Sequence, residues 1–225
     1  NPARPDPRRL HLRRGDRRGR RRRGDFDGDP RRNLDSAHAA SSPSSRAALT
    51  ASIGQGATTI SYTDWIGTGL LVLVGTNLAA NQPVAMKYIY LAKKAGTRVV
   101  VVNPYREEGL DRYWIPSSPE SAVFGTRILD DWFPVAQGGD AAFFTGALKH
   151  LIERDRLDSR FIAHHTTGFD RLRESIARAS WPDLVEQAGV SERDIRRFAD
   201  LYADAASSVT VWSMGVTQHA HGRQN

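Results

Sequence analysis

The chain has 225 residues, 40% of them hydrophobic, which is enough for one large domain or two small ones around a sizeable core. Cysteine is absent, which excludes disulfides, a thiol nucleophile and a cysteine-held zinc or iron–sulfur site within these residues. The net charge of +7 is concentrated at one end, because residues 1–32 carry 13 Arg against 5 Asp. No apolar run approaches the ~18 residues of a membrane span, and no secretory signal is recognisable.

The start of the chain differs in composition from the rest. Residues 1–32 are dominated by Arg, Asp, Gly and Pro, and residues 33–50 are mostly small and polar. We therefore predict that residues 1–50 are a disordered or mis-framed tract with a linker, and that residues 51–225 form a partial α/β domain. One hypothesis is that residues 1–32, with much of 37–46, come from a wrong reading frame or a truncated gene.

A strand–helix–strand unit is the clearest predicted structure. Residues 70–74 form a continuous apolar run, typical of a strand buried on both faces. After a turn at residues 75–77, Pro83 suits the first position of a helix that ends near Gly96. Residues 98–102 form a second apolar run. The unit has the size and pattern of a right-handed βαβ crossover.

The remainder of the chain is predicted to alternate between helices and one further strand. Residues 105–138 are interrupted by three prolines and are predicted to be irregular. Asp140 is the predicted N-cap of a long helix, and Ser191 with Asp194 resembles a capping box that starts another. Alternating strands and helices favour a Rossmann-like, doubly wound parallel sheet. Short helices are predicted at residues 159–165, 168–178 and 182–187, and a third strand at 208–213.

Ligands of such sheets bind beyond the carboxyl ends of the strands, so three strand ends are candidate sites. After the first strand, Gly75 could let the backbone approach a phosphate near the next helix, although a turn that only reverses the chain has the same pattern. After the second strand, Asn103 could reach a ribose and Arg106 a phosphate, the alternative being a solvated loop. After the third, residues 213–222 suit hydrogen bonding to a polar ligand better than metal binding.

Three common fingerprints are missing. No G-x-G-x-x-G sequence follows the first predicted strand, which argues against NAD, and neither a phosphate-binding G-x-x-x-x-G-K-[ST] loop nor a G-x-S-x-G nucleophile elbow occurs. The pattern alone therefore predicts a nucleotide-like ligand on an α/β sheet. Two alternatives stay open: a nucleotide-binding module with another cofactor, and nucleic-acid binding through the Arg-rich tract, where Phe26 is the sole aromatic residue available for stacking.

Five motifs in chain order resemble those of molybdopterin oxidoreductases, most closely the branch similar to formate dehydrogenase alpha subunits. They extend over roughly residues 60–222. In one of them, Asn-Pro-Tyr-Arg-Glu stands where Asp-Pro-Arg is more usual. The motifs lie at residues 64–84, where a strand end would meet the cofactor; at 101–107; at 138–140, similar to a Gly-x-Asp cofactor loop; at 165–169, His-Thr-x-Gly-Phe; and at 212–219, similar to a pterin-contacting loop.

The resemblance implies a bis(molybdopterin guanine dinucleotide) cofactor with molybdenum or tungsten. It implies two-electron oxidation of a small, formate-like substrate, with electrons passing to a partner. A [4Fe-4S] cluster is expected in the full-length family but not in this fragment. By the same resemblance, the residues that would approach the pyrophosphate are Gly75, Thr76 and Asn77. Those that would recognise ribose or guanine are Asn103, Arg106 and Asp140, with Gly138 in the cofactor loop. Those that would lie near a pterin are Met214, Gly215, Gln218 and His219.

The sequence also departs from the family pattern. Relatives carry a Cys-His or similar pair soon after the stretch that corresponds to residues 33–36, whereas this chain has Ala37 and His38 and no cysteine. No catalytic residue or metal ligand is therefore assigned, and the fragment alone is expected to be inactive. The full protein is expected to be cytoplasmic, without a membrane or a specific nucleic-acid partner.

Overall fold

The computed structural model describes residues 34–37, 43–54, 59–115 and 119–217. The predictions for residues 1–32, His38, Gln218 and His219 lie outside these residues. The strands are β1 (Leu34–Ala37), β2 (Leu70–Val74), β3 (Arg98–Val102), β4 (Arg112–Tyr113), β5 (Thr126–Arg127), β6 (Asp131–Phe133) and β7 (Ser208–Trp212). The helices are α1 (Pro43–Ile53), α2 (Leu78–Asn81), α3 (Pro83–Lys94), α4 (Glu108–Asp111), α5 (Pro119–Phe124), α6 (Asp140–Glu153), α7 (Ser159–His165), α8 (Phe169–Arg178), α9 (Trp181–Ala188), α10 (Glu192–Asp204) and α11 (Met214–Thr217), with a 3₁₀ turn at Tyr62–Trp65. Among these helices, none is both long and apolar enough for a membrane crossing.

A five-stranded sheet in the order β1-β7-β2-β3-β6 organises the domain, and every neighbouring pair in it is parallel. The short strands β4 and β5 form a separate antiparallel pair. Because parallel neighbours need crossover connections, helices cover both faces of the large sheet. The predicted Rossmann-like, doubly wound α/β fold is confirmed.

Strand β2 shows why the sheet is covered on both sides. All five of its side chains are buried, and successive side chains point to opposite faces. Leu71 and Leu73 belong to the core on one face with Met86 of α3, whereas Val72 belongs to the core on the other face with Phe143 of α6. Each such aliphatic side chain contributes ~1.5–3 kcal/mol when fully buried, so an uninterrupted apolar run is stable only between two layers of helices.

Most elements predicted from local patterns are present. The strands at residues 70–74 and 98–102 are confirmed, and helix α3 begins at Pro83 as predicted. Ser191 caps α10, since its Oγ accepts a hydrogen bond from the Asp194 amide over 3.2 Å. Helices α7, α8 and α9 and strand β7 agree with their predicted ranges to within one residue at each end.

Three predictions of local structure were wrong. Asp140 is the first helical residue of α6, and Gly139 occupies the N-cap position instead. Residues 105–138, predicted to be irregular, contain β6 at one edge of the main sheet. The predicted linker at 33–50 contains β1 and most of α1. Strands as short as β1 and β6 are held by backbone pairing, which leaves little periodic pattern in the side chains. The boundary at residue 50 stays a prediction.

Candidate functional site

The carboxyl ends of four neighbouring strands are level with one another. Val74 of β2 lies opposite Trp212 of β7 on one side and Val102 of β3 on the other, and Val102 lies opposite Phe133 of β6. The chain segments that follow these residues therefore leave the sheet at the same edge. We call residues 75–77, 103–107, 134–140 and 213–217 the strand-end loops. Three of them begin at the strand ends that the sequence singles out, and the fourth contains Gly138 and Asp140.

Two of these loops touch through their backbones. The Gly215 amide donates a hydrogen bond to the Gly75 carbonyl oxygen over 3.2 Å, and Gly75 has a φ of 56°. A Cβ at Gly75 would lie 3.0 Å from the Val216 nitrogen, and a Cβ at Gly215 would lie 2.5 Å from the Gly75 oxygen. Both positions thus require glycine, Gly75 for its left-handed conformation and Gly215 for the close approach. The two loops therefore pack backbone against backbone where β2 and β7 end.

The Asn77 side chain joins two loops. Its Oδ1 accepts a hydrogen bond from the Ala80 amide over 3.1 Å and so caps α2, while its Nδ2 donates to Glu107 Oε2 over 2.8 Å. Thr76, between Gly75 and Asn77, is buried. The predicted pyrophosphate contact through Asn77 is thus restricted to its backbone and to its second Nδ2 hydrogen. Glu107 is the last residue of the motif at residues 101–107. The sequence pattern assigned no role to its side chain, because its partner Asn77 is 30 residues away in the chain.

Asn103 offers an unengaged amide at the end of β3. Its backbone amide donates to the Phe133 carbonyl over 3.1 Å, and its carbonyl accepts from Trp132 Nε1 over 2.8 Å. The residue is only 9% exposed, yet within the described chain its side chain makes no hydrogen bond. Neither its Oδ1 nor its Nδ2 is fully enclosed, so the amide reaches the surface and can hydrogen-bond a polar ligand. Trp132, which holds this loop, was missed because its region was predicted to be irregular.

Arg106 is already paired. Its Nη2 lies 2.7 Å from Asp111 Oδ1, and its Cζ lies 5.9 Å from the centre of the Trp132 ring. Both members of the ion pair are about half exposed, so the pair is weak in water. Arg106 therefore remains able to exchange Asp111 for a ligand phosphate.

The loop after β7 contributes an orphan hydroxyl. Thr217 is 5% exposed, and its Oγ1 finds no hydrogen-bond partner in the part of the chain that the structure describes. Met214, in the same loop, is about half exposed. Gln218 and His219 follow directly but lie outside the described residues. Thr217 belongs to the motif quoted from the sequence, but its burial could not be inferred there.

The predicted Gly-x-Asp loop follows β6. Gly138 has a φ of 82° with open space where a Cβ would be, whereas a Cβ at Gly139 would lie 2.6 Å from the Gln187 carbonyl oxygen. The second glycine therefore allows close packing against α9, and the first allows the turn. Asp140 is buried at the start of α6. This placement brings the predicted guanine-binding carboxylate to the same edge of the sheet as Asn103.

The described residues contain no grouping of three or more His, Asp or Glu side chains that could hold a metal ion. The predicted site residues that the structure describes, namely Gly75, Thr76, Asn77, Asn103, Arg106, Gly138, Asp140, Met214 and Gly215, all lie in the strand-end loops. Their arrangement provides backbone, amide, hydroxyl and carboxylate groups along one edge.

Comparison with known proteins identifies the family. The sequence model described as molybdopterin oxidoreductase matches residues 30–225. The chain belongs to the molybdopterin oxidoreductase family. Membership confirms the resemblance noted in the sequence, and a molybdopterin cofactor is what the family implies. The match begins ahead of the domain boundary predicted at residue 50.

The relatives are much longer proteins. The chain is 34% identical over 189 residues to protein YdeP of Escherichia coli K12, covering 79% of this chain and 25% of YdeP. It is 30% identical over 177 residues to formate dehydrogenase H of the same strain, covering 78% of this chain and 22% of that protein. The chain thus spans about a quarter of the length of the curated relatives that it matches.

A solved structure supports the fold. Acetylene hydratase from Pelobacter acetylenicus matches with a TM-score of 0.60 and 21% identity, over 77% of this chain and 21% of that one. The strand-end loops carry polar groups that a cofactor of this family could engage. The Thr217 hydroxyl is a buried polar group without a partner among the described residues, and the Asn103 side-chain amide makes no hydrogen bond to them.

Proposed function

We propose that this chain contributes the strand-end loops to the binding site for molybdopterin guanine dinucleotide, in the catalytic subunit of an oxidoreductase similar to formate dehydrogenases. The observation that supports this most directly is the level alignment of Val74, Val102 and Trp212, with Gly75 and Gly215 in contact just beyond them. A large ligand that carries two phosphates can contact all of these loops at once, as ligands of open α/β sheets do.

In this proposal each loop has a chemical task. The backbone at Gly75 and Thr76 is proposed to face the pyrophosphate. The Gly75 amide itself donates to the Val102 carbonyl oxygen over 3.0 Å, so the Thr76 amide is the donor proposed to reach a phosphate oxygen. The Asn103 amide hydrogen-bonds ribose hydroxyls or guanine, because it both donates and accepts. The Asp140 carboxylate accepts hydrogen bonds from the two donors on the edge of guanine, a pairing that adenine cannot make.

The remaining assignments concern the pterin and the reaction. Met214, Gly215, Gln218 and His219 are proposed to lie near a pterin, and Arg106 to bind ribose or phosphate after leaving Asp111. The bound cofactor, with molybdenum or tungsten, would supply two-electron oxidation of a formate-like substrate. The protein residues bind it, orient it and exclude water. A [4Fe-4S] cluster and an electron-transfer partner belong to the proposed full-length cytoplasmic enzyme, and this segment alone is proposed to be inactive.

Nucleotide selectivity tests the proposal directly. We expect the purified 225-residue chain to bind GDP at least about tenfold more tightly than ADP in equilibrium dialysis, a difference of ~1.4 kcal/mol. The variant Asp140→Asn should lose most of this preference. An amide has only one acceptor oxygen and no charge, so it cannot accept hydrogen bonds from both guanine donors as a carboxylate can. Asp170→Asn is a matched control, since Asp170 is an exposed helix N-terminal carboxylate on α8. Equal binding of GDP and ADP, or no binding, would contradict the proposed site.

The cofactor itself is tested on the complete locus. The full-length product is purified from cells that make molybdopterin, and its molybdenum, tungsten and acid-released guanine nucleotide are measured. We expect close to two guanine nucleotides for each metal atom, and formate-dependent reduction of an artificial electron acceptor. A product without metal and without pterin would overturn the proposal, whereas a loaded protein that ignores formate would overturn only the substrate.

A further inference from the structure

Glu107 connects the loop after β3 with the loop after β2. Its Oε2 accepts the hydrogen bond from Asn77 Nδ2 over 2.8 Å. The Glu107 carbonyl also accepts hydrogen bonds from the Leu110 amide at 3.0 Å and the Asp111 amide at 3.1 Å, so Glu107 is the N-cap residue of α4. One residue therefore starts α4 with its backbone and binds the N-cap of α2 with its side chain.

The two short helices also pack closely. A Cβ added at Gly109 in α4 would overlap with the Cβ of Ala79 in α2. The hydrogen bond at Glu107 and this glycine contact lie on the same junction, between the ends of β2 and β3. Because a closely packed junction has few alternative arrangements, the two loops are expected to hold a fixed separation.

We propose that Glu107 is a positioning residue for the nucleotide site: its carboxylate holds Asn77 and thereby sets the distance between the loop at Gly75 and the loop at Asn103. This inference rests on the proposed function, in which the first loop faces the pyrophosphate and the second the ribose or guanine. A ligand that spans both loops depends on that distance, whereas a ligand that contacts one loop does not.

The chemistry suits a carboxylate at this position. Asn77 Oδ1 is occupied by the Ala80 amide, so the Asn77 amide group presents only donors to its other neighbours. A carboxylate is a pure acceptor and binds such a donor with a charge-assisted hydrogen bond. Glutamine at 107 keeps an acceptor oxygen on a side chain of the same length, and alanine removes it. These two substitutions therefore separate loss of the hydrogen bond from loss of the charge.

The experiment compares Glu107→Ala, Glu107→Gln and the control Glu108→Ala, which removes a neighbouring exposed carboxylate from the same helix. Dissociation constants are measured for GDP, which spans the loops, and for inorganic pyrophosphate, which contacts one. We expect Glu107→Ala to weaken GDP binding about tenfold, as the loss of one charge-assisted hydrogen bond would. Pyrophosphate binding should change less than about threefold, and Glu107→Gln should restore GDP binding to within about threefold of the original chain.

Hydrogen exchange supplies a readout that needs no ligand. The Ala80 and Asn81 amides, bonded to Asn77 Oδ1 and to the Asn77 carbonyl, should exchange faster in Glu107→Ala and at the original rate in Glu108→Ala. Equal GDP affinity in Glu107→Ala and the original chain would overturn the positioning role and leave the nucleotide site standing. Equal losses for GDP and pyrophosphate would also overturn it. Absence of GDP binding by the original chain would overturn the proposed function, and the positioning role with it.

Discussion

Gly75 and Gly215 are in direct backbone contact, with the Gly215 amide 3.2 Å from the Gly75 carbonyl oxygen. They follow neighbouring strands that are far apart in the sequence, and a Cβ on either would meet the other residue's loop. The contact joins the ends of β2 and β7 through their backbones. Both positions are therefore glycine because the two loops touch there, and Gly75 also because of its left-handed backbone conformation.

The first prediction concerns this contact. Gly215→Ala should lower the free energy of unfolding by about 1–3 kcal/mol, because the added methyl must displace the Gly75 backbone. It should also weaken GDP binding. Gly96→Ala is the control, since Gly96 has a φ of 90° with nothing within 4 Å of an added Cβ. In urea unfolding the control should lose only about 1–2 kcal/mol of stability, because alanine is strained at this φ. In equilibrium dialysis it should keep its GDP affinity. Undiminished GDP binding by Gly215→Ala would show that the contact does not shape the site.

The second prediction concerns Trp132, whose indole holds the Asn103 carbonyl at 2.8 Å. Trp132→Phe keeps most of the ring and removes the donor, so it should cost about 1 kcal/mol of stability and weaken GDP binding through a looser Asn103 loop. Trp181→Phe is the matched control, because the Trp181 indole at the start of α9 donates over 3.2 Å to Glu153 at the end of α6 and not to a strand-end loop. If both variants bind GDP alike, Trp132 does not position Asn103.

The third prediction concerns the edge strand β6. Asp131 is 8% exposed and accepts from Arg98 at 2.8 Å and from Arg197 at 2.6 Å. Since both arginines are about half exposed, Asp131→Asn should cost about 2 kcal/mol, less than breaking a fully buried pair. Asp194→Asn removes a half-exposed negative charge 3.6 Å from Arg197 in the first turn of α10, while an amide oxygen can still accept the hydrogen bond from Ser191 Oγ, so it should cost less than about 1 kcal/mol. Equal costs in urea unfolding would mean that Asp131 does not secure β6.

The fourth prediction concerns alkaline pH. Burial raises the pKa of the Tyr202 phenol above its ordinary 10.0, and the Ser208 hydroxyl offsets part of that rise, although the Tyr202 hydroxyl has no well-formed hydrogen bond among the described residues. Below the ordinary pKa the Tyr202 phenol is protonated in both the folded and the unfolded chain. Above it the unfolded chain releases the proton first, so the free energy of unfolding falls as pH rises toward the folded pKa.

The test compares urea unfolding between about pH 9 and about pH 11. Tyr202→Phe should lose less stability over this interval than the original chain, because it lacks the phenol that must ionise on unfolding. Tyr105→Phe is the control, since Tyr105 is 64% exposed, and it should follow the original chain. A Tyr202→Phe variant with the full alkaline loss would rule out this linkage.

Local patterns were sufficient for much of the fold. The apolar runs at residues 70–74 and 98–102 predicted strands buried on both faces, and Pro83 and Ser191 marked helix starts, because side-chain burial and capping depend on neighbours within a few residues. The motifs at the strand ends likewise identified the family, and they contain most of the residues proposed for the site. All of these features depend on residues that are close together in the sequence.

Only the tertiary structure decided which segments meet. It placed β7 between β1 and β2, added β6 beside β3, and brought Glu107 to Asn77. Strand order depends on backbone hydrogen bonds that every residue type can make, and a contact between distant loops depends on the register of the strands that carry them. Neither strand order nor a contact between distant loops leaves a periodic pattern in the sequence. The sequence therefore indicated which polar groups follow the strands, and the packing of the strands determined the distances between these groups.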